Sequence, residues 1–215
     1  MQDNNTKIKV RLMKTIAHSD LFKIWLNKCY PATDPDSATD STIASKKRMF
    51  SGFLEEAISE IWEEINWNFT LGLQKIELSK DSDGNIVPKY QFKESDAALD
   101  KRILQAWDED PTDQTKKSNK IWACSYGDSI SVSRGYKKDS VYLRYKLDVP
   151  AVSETAGYPA VMKNMILAKC SALWQASQER FESAAYSDAL FRKYMDDARM
   201  QLANSCDDVI TVSRK

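Results

Sequence analysis

The residues that could carry chemistry are few and scattered. The only histidine is His18, in an N-terminal stretch of ambiguous structure. Four cysteines, Cys29, Cys124, Cys170 and Cys206, lie far apart with no C-x-x-C pair, so free thiols are expected rather than a zinc site. Acidic residues are plentiful, but Asp196-Asp197 and Asp207-Asp208 are neighbours in sequence, and neighbours on a helix do not face each other. General acid–base or glycosidic chemistry needs convergent, partly buried carboxylates, and nothing marks such a pair. Asp81-Ser82-Asp83-Gly84-Asn85 resembles the opening of a calcium loop. Its glycine falls at the fourth position rather than the sixth, and strands flank it, so it reads as a hairpin turn. There is no Gly-rich phosphate loop and no G-x-S-x-G elbow. No catalytic, metal or cofactor-binding residue is therefore assigned, no cofactor is expected, and the chain is read as a non-enzyme.

The elements that would position any site are organised around residues 41–78. Ile43, Phe50, Phe53, Leu54, Ala57, Ile58, Ile61, Trp62 and Ile65 recur at three- and four-residue steps, which predicts one long amphipathic helix. The period then changes to two through Trp67, Phe69, Leu71 and Leu73, which predicts a strand. The apolar parity slips to Ile76 and Leu78, so a β-bulge or bend is expected near Gly72. Upstream, Lys7–Leu12 alternates like a half-exposed strand or equally an arm that orders only against a neighbour, and Ser19 or Asp20 could cap a short helix through Cys29. Lys46-Lys47-Arg48 opposes the dipole of the long helix; ordinary surface charge is the preferred reading over a phosphate contact.

Downstream, the turn at Asp81–Asn85 joins two strands, and Pro88 marks the second as an edge or a short strand. Strands are expected at Arg102–Trp107, Lys120–Cys124, Ser129–Arg134 and Val141–Leu147. Pro159 opens a helix over Ala160–Glu179, on whose apolar stripe Lys169 would extend its ammonium outward. A break near Ser183–Ser187 precedes a last helix, Asp188–Ala203, capped by Ser187. The tail Ser205–Lys215 reads as a small strand-like hook on a polar leash. The fold class is α+β: a bundle of about four helices with an antiparallel β subdomain inserted between helices 2 and 3. The expected divisions are an N-terminal arm (1–18), a helical core (19–66), a β subdomain (67–149), a second helical part (150–203) and a tail (204–215).

The 215 residues carry 31 basic and 31 acidic side chains, so formal net charge is zero. A free DNA-binding protein is usually basic, and neutrality mildly favours assembly. Six tryptophans, nine tyrosines and seven phenylalanines suit a rich core or a large subunit interface. No run approaches the length of a membrane span, and no signal peptide is read at the N-terminus.

In order and spacing, the chain resembles the tail tubular protein A family of short-tailed bacteriophages, the head-to-tail adaptor (connector) proteins. Glu64-Ile65-Asn66-Trp67-Asn68-Phe69-Thr70 looks like that family's exit from helix into strand. Arg102–Asp110 is similar to its strand followed by acids, and Val141–Tyr145 to its last strand. Tyr158-Pro159-Ala160-Val161-Met162 matches its entry to the first C-terminal helix, and Ala184–Leu202 its last helix. The resemblance covers residues 19–203. The N-terminal arm has no counterpart, Lys93–Ala98 stands where the family has Leu-Pro-x-Asp, and the 111–119 loop is expanded.

That resemblance implies a structural virion protein. It would form a ring, usually of twelve subunits, assembled in the bacterial cytoplasm and seated at the head–tail junction. Its partners would be the portal protein, the next tail or nozzle ring, further copies of itself, and DNA passing through the lumen without sequence-specific binding. On this reading the helix–strand junction is Ile65, Trp67 and Phe69. Ser205, Val209, Ile210 and Val212 are candidates for docking on the portal, by strand addition or by lying along it. The turn tips Asp83, Gly84, Asn85, Tyr136, Lys137 and Lys138 would face the tail. A head-completion or tail-completion ring is the near alternative. A small DNA-binding regulator using Lys46-Lys47-Arg48, Lys116-Lys117 and Lys120 is the alternative from another class.

Overall fold

The computed structural model describes residues 14–33, 41–93, 103–113 and 115–212. The protein is α+β, with four α-helices and antiparallel sheets among the described residues, the two larger sheets following the second helix and preceding the third in chain order. It divides into two compact units. One takes the chain up to Ile65 and again from Pro150, and the other takes Asn66–Val149. The Lys7–Leu12 strand reading lies outside the described residues.

The first unit is helical. A short strand, β1 (Thr15–Ala17), leads straight into α1 (His18–Cys29). No side chain caps α1, contrary to the Ser19 or Asp20 cap expected. The His18 N–H donates instead to the Ala156 carbonyl at 3.1 Å, so the connector satisfies the first helical donor. α2 spans Ser41–Glu64 and buries Ile43, Phe50, Leu54, Ala57, Ile58, Ile61 and Trp62, the stripe anticipated from spacing. β9 (Gly157–Pro159) pairs antiparallel with β1, a two-strand clip too short to leave a periodic signal. A 3-10 turn at Ala160–Met162 then opens α3 (Lys163–Ser177).

The break before the last helix lies earlier than expected. Glu179 takes a left-handed backbone at φ 58°, and α4 runs Phe181–Val212. Ser187 is therefore inside α4 rather than its cap, and its hydroxyl donates to Gln175 Oε1 at 2.7 Å. The same helix carries backbone 205–212, so this stretch is not the strand-like hook expected. The three apolar residues Val209, Ile210 and Val212 are ambiguous between strand and helix, and continuation from a helix already formed needs no new nucleus.

The helices meet around aromatic rings. Phe50 is fully buried, with ring centroids 5.2 Å from Trp25, 5.6 Å from Phe22 and 5.5 Å from His18. Trp174 on α3 donates its indole N–H to the Tyr30 hydroxyl at 2.7 Å, so a large polar-tipped ring is buried without an orphaned donor.

The second unit has two antiparallel sheets. One, in the order β2-β8-β4-β5, uses Leu71–Glu77, Ser140–Lys146, Ile103–Trp107 and Lys120–Ile121. The other, in the order β3-β7-β6, uses Lys89–Gln91, Ser129–Val132 and Ala123–Tyr126. Ile76, Leu78, Ala106, Ile130, Val132, Val141 and Leu143 form one buried cluster drawn from both sheets.

Two expectations fail here for identifiable reasons. Residues 68–70 form a 3-10 turn rather than strand, because the Thr70 N–H and hydroxyl both close on the Trp67 carbonyl at 2.9 Å. The bulge is not at Gly72, since β2 and β8 pair without interruption from Leu71 to Glu77. Gly72 sits opposite Tyr145, and a Cβ there would come within 2.4 Å of the tyrosine ring. The glycine thus seats an aromatic ring across the strand pair. The register shift lies in β4, between Ile103 and Gln105, opposite that same part of β8.

Candidate functional site

Two turns of the β unit converge. Asp81 builds the first: its Oδ1 accepts the N–H groups of Asp83 and Asn85 at 2.9 and 2.8 Å. Gly84, at φ 82°, supplies the left-handed backbone that the turn needs. Gly135, at φ 81°, does the same in the second turn. Between the two lies a cleft of about 490 Å³ lined by Gly84, Asn85, Ile86, Pro88, Arg134, Gly135, Tyr136 and Lys137. The candidate tail-facing residues Gly84, Asn85, Tyr136 and Lys137 therefore share one surface, and Asp83 lies in the same turn. Arg134, which was not anticipated, adds a second exposed cation beside Lys137.

Lys138 departs from this group. Its ammonium lies 2.8 Å from Glu109 and 3.2 Å from Asp108. Asp108 also accepts the Asn119 N–H at 2.6 Å and the Asn119 side-chain amide at 3.0 Å. Lys138 therefore anchors its turn to the start of the 108–119 loop instead of presenting charge. Burial works against ionisation of Asp108, but the hydrogen bonds from Asn119 and Lys138 outweigh it and hold the carboxyl at about 2. Tyr136 donates its hydroxyl to the Ser140 carbonyl at 2.7 Å, and burial, with Asp108 nearby, pushes its pKa up to about 12.

A pH dependence follows. The folded-state value of Asp108 lies below its ordinary 3.8, so its stabilisation is complete above that value and is lost as pH falls toward 2. Urea midpoints of the wild type and Asp108→Asn are expected to differ at neutral pH and to converge through this acid range. A gap unchanged at the acid end would remove the carboxylate from the account.

His18 is buried at the start of α1. Its Nε2 is 3.5 Å from the Ser51 hydroxyl, a long contact, and the residue is 3% exposed. Burial lowers its pKa; Glu154 opposes this and Lys47 adds to it. Cys29 and Cys170 are buried free thiols. Burial raises both pKa values, that of Cys29 to about 12, which keeps them protonated and unreactive. Among the described residues no group of three or more His, Cys, Asp or Glu is placed to hold a metal ion.

The cationic clusters are partly committed. Lys46 donates to the Thr33 hydroxyl at 3.0 Å and lies 4.3 Å over the Tyr30 ring. Lys116 lies 3.8 Å from Glu109. Lys47 and Arg48 line a cleft of about 690 Å³ that also carries Glu55 and Glu154.

At the helix–strand junction, Ile65 closes the last turn of α2 onto Ile61. Trp67 and Phe69 stack on each other at 5.4 Å within the second unit. Ser205, Val209, Ile210 and Val212 fall in the final turns of α4.

Sequence reasoning missed the exposed aromatics. Trp122, just before β6, and Tyr126, at its end, are 61% and 83% exposed, and Cys124 midway between them is exposed too. Phe181 and Tyr186 are 68% and 73% exposed on α4. The two-residue spacing of Trp122, Cys124 and Tyr126 was a usable signal, but exposure is decided by what packs on the sheet. No helix among the described residues is long and apolar enough to cross a membrane. No protein-family model matches the chain, and no curated protein sequence matches it.

Proposed function

We propose that this protein is a structural assembly protein, a head-to-tail adaptor of a short-tailed bacteriophage, acting as one subunit of a ring between portal and tail. The observation that carries this reading is the presence of exposed aromatics on both units, Trp122 and Tyr126 on one, Phe181 and Tyr186 on the other. Large exposed apolar side chains mark partner surfaces, and a ring subunit between two other assemblies needs several. The cleft between the two turn tips, with Arg134 and Lys137, is assigned to the tail-side partner. The C-terminal end of α4 is assigned to the portal, now as a helix rather than an added strand. Zero net charge suits a passage through which DNA must slide without being held.

A DNA-binding regulator is the weaker reading, because Lys46 and Lys116 are engaged within the chain and Lys47 and Arg48 share their cleft with carboxylates. Light scattering with and without the cognate portal protein separates the two. A ring, or a chain that joins the portal oligomer in fixed ratio, supports the adaptor. A monomer that ignores the portal and binds duplex DNA with steep salt dependence overturns it.

A further inference from the structure

α2 carries its charges in two separate blocks. Lys46, Lys47 and Arg48 stand near its start, and all its acids (Glu55, Glu56, Glu60, Glu63 and Glu64) lie beyond Phe53. Lys46 is held by Thr33 and Tyr30, and Glu60 and Glu64 by cations of α3 and α4. Lys47, Arg48, Glu55 and Glu56 form no ion pair among the described residues. Between the blocks is Gly52, exposed, with nothing within 4 Å of the place a Cβ would occupy. A glycine inside a helix is destabilising relative to alanine, and no neighbour among the described residues requires one here. Two shallow depressions meet at Gly52. One is lined by Lys47, Arg48 and Glu55 of α2 together with Val152 and Glu154 of the connector, the other by Glu55, Glu56, Ser59 and Glu63 of α2 alone.

We propose that this face of α2 docks antiparallel on α2 of a second copy of the chain, with the two-fold axis at Gly52. In such a pair, residues equally far from the axis on opposite sides face each other, and each contact occurs twice. Arg48 then faces Glu56 of the second copy, and Ser45 faces its Ser59. Lys47 and Glu55 flank the same seam, so the basic end of each helix meets the acidic end of the other. The absent side chain at Gly52, with serines seven residues to either side, lets the two backbones approach closely. Parallel docking would set like charges opposite each other, which selects the antiparallel arrangement. The contact is isologous and closed, unlike the head-to-tail contact of a ring, so it describes the free protein and stands independently of the adaptor reading.

The test is sedimentation equilibrium of the full chain over a range of concentrations at low and high salt. The wild type is expected at twice the chain mass of 24.5 kDa, weakening with salt. Arg48→Glu and Glu56→Arg are each expected to raise the dissociation constant about tenfold or more, and the double exchange to restore it. Gly52→Leu should abolish the dimer, with circular dichroism confirming that α2 still forms. A wild-type monomer at every concentration overturns the proposal. So does a dimer or larger ring indifferent to Arg48→Glu, or a double exchange that restores nothing. Portal binding is scored separately on the same variants, so failure of the dimer and failure of the adaptor reading give different results.

Discussion

Replacement of Phe50 by alanine is expected to lower the stability of the helical unit by about 3–5 kcal/mol, the range for deleting a fully buried phenylalanine. Phe50 is wholly inaccessible and lies between Trp25, Phe22 and His18, contributed by α1. Those rings are too rigid to collapse into the space left behind, so a cavity term adds to the lost transfer energy. A domain is typically stable by only about 5–15 kcal/mol, so the variant approaches the edge of folding. Thermal unfolding followed by circular dichroism is the measurement. Tyr186→Ala, at a position 73% exposed, is the control and should change stability by less than about 0.5 kcal/mol. Equal shifts for the two variants would mean that the ring cluster does not organise the core.

Lys169→Met has the second largest expected effect. Lys169 was expected to extend its charge into water from an apolar stripe. It lies instead 2.6 Å from Glu60 and 3.6 Å from Asp188, with its side chain 12% exposed and that of Glu60 20% exposed. Arg192 reaches Glu60 at 2.8 Å and Glu64 at 3.1 Å, and Arg199 also pairs with Glu64. Carboxylates of α2 are thus held between a cation of α3 and two of α4. Removing Lys169 leaves Glu60 partly buried with Arg192 as its remaining counter-ion. The expected loss is about 2–3 kcal/mol, below the usual cost of a fully uncompensated buried charge. Replacing both partners, as Lys169→Met with Glu60→Leu, should recover most of it, because the desolvation penalty disappears together with the attraction. Urea midpoints of both single variants and the double variant test this. Additive losses would show that the pair is not coupled.

Much of the backbone plan was legible in residue spacing. The three- and four-residue recurrence through Ile43–Ile61 yields α2 because burying one stripe is the only way a helix of that length is held in water. The alternation of Val141 and Leu143 yields β8, one of the two central strands of the larger sheet. The turn at Asp81–Asn85 was readable because Asp and Gly act within a few residues of themselves. Boundaries were less so. Trp67 and Phe69 alternate like strand residues, yet Thr70 closes a 3-10 turn on Trp67. Ser187 has the identity of a cap, yet it is buried in mid-helix against Gln175.

The candidate site divides the same way. Spacing and turn chemistry identified the two tips individually. Their convergence on one cleft, and the diversion of Lys138 to Asp108 and Glu109, depend on strands far apart in sequence. By itself the sequence determined the α+β class, the four helices and the place of the β insertion, since these rest on local periodicity and the burial it demands. Only the tertiary structure decided which charges are neutralised and which aromatics remain exposed among the described residues. Those outcomes depend on what each side chain meets after the elements pack, and Coulombic and apolar contacts act over a few ångströms whatever the separation along the chain.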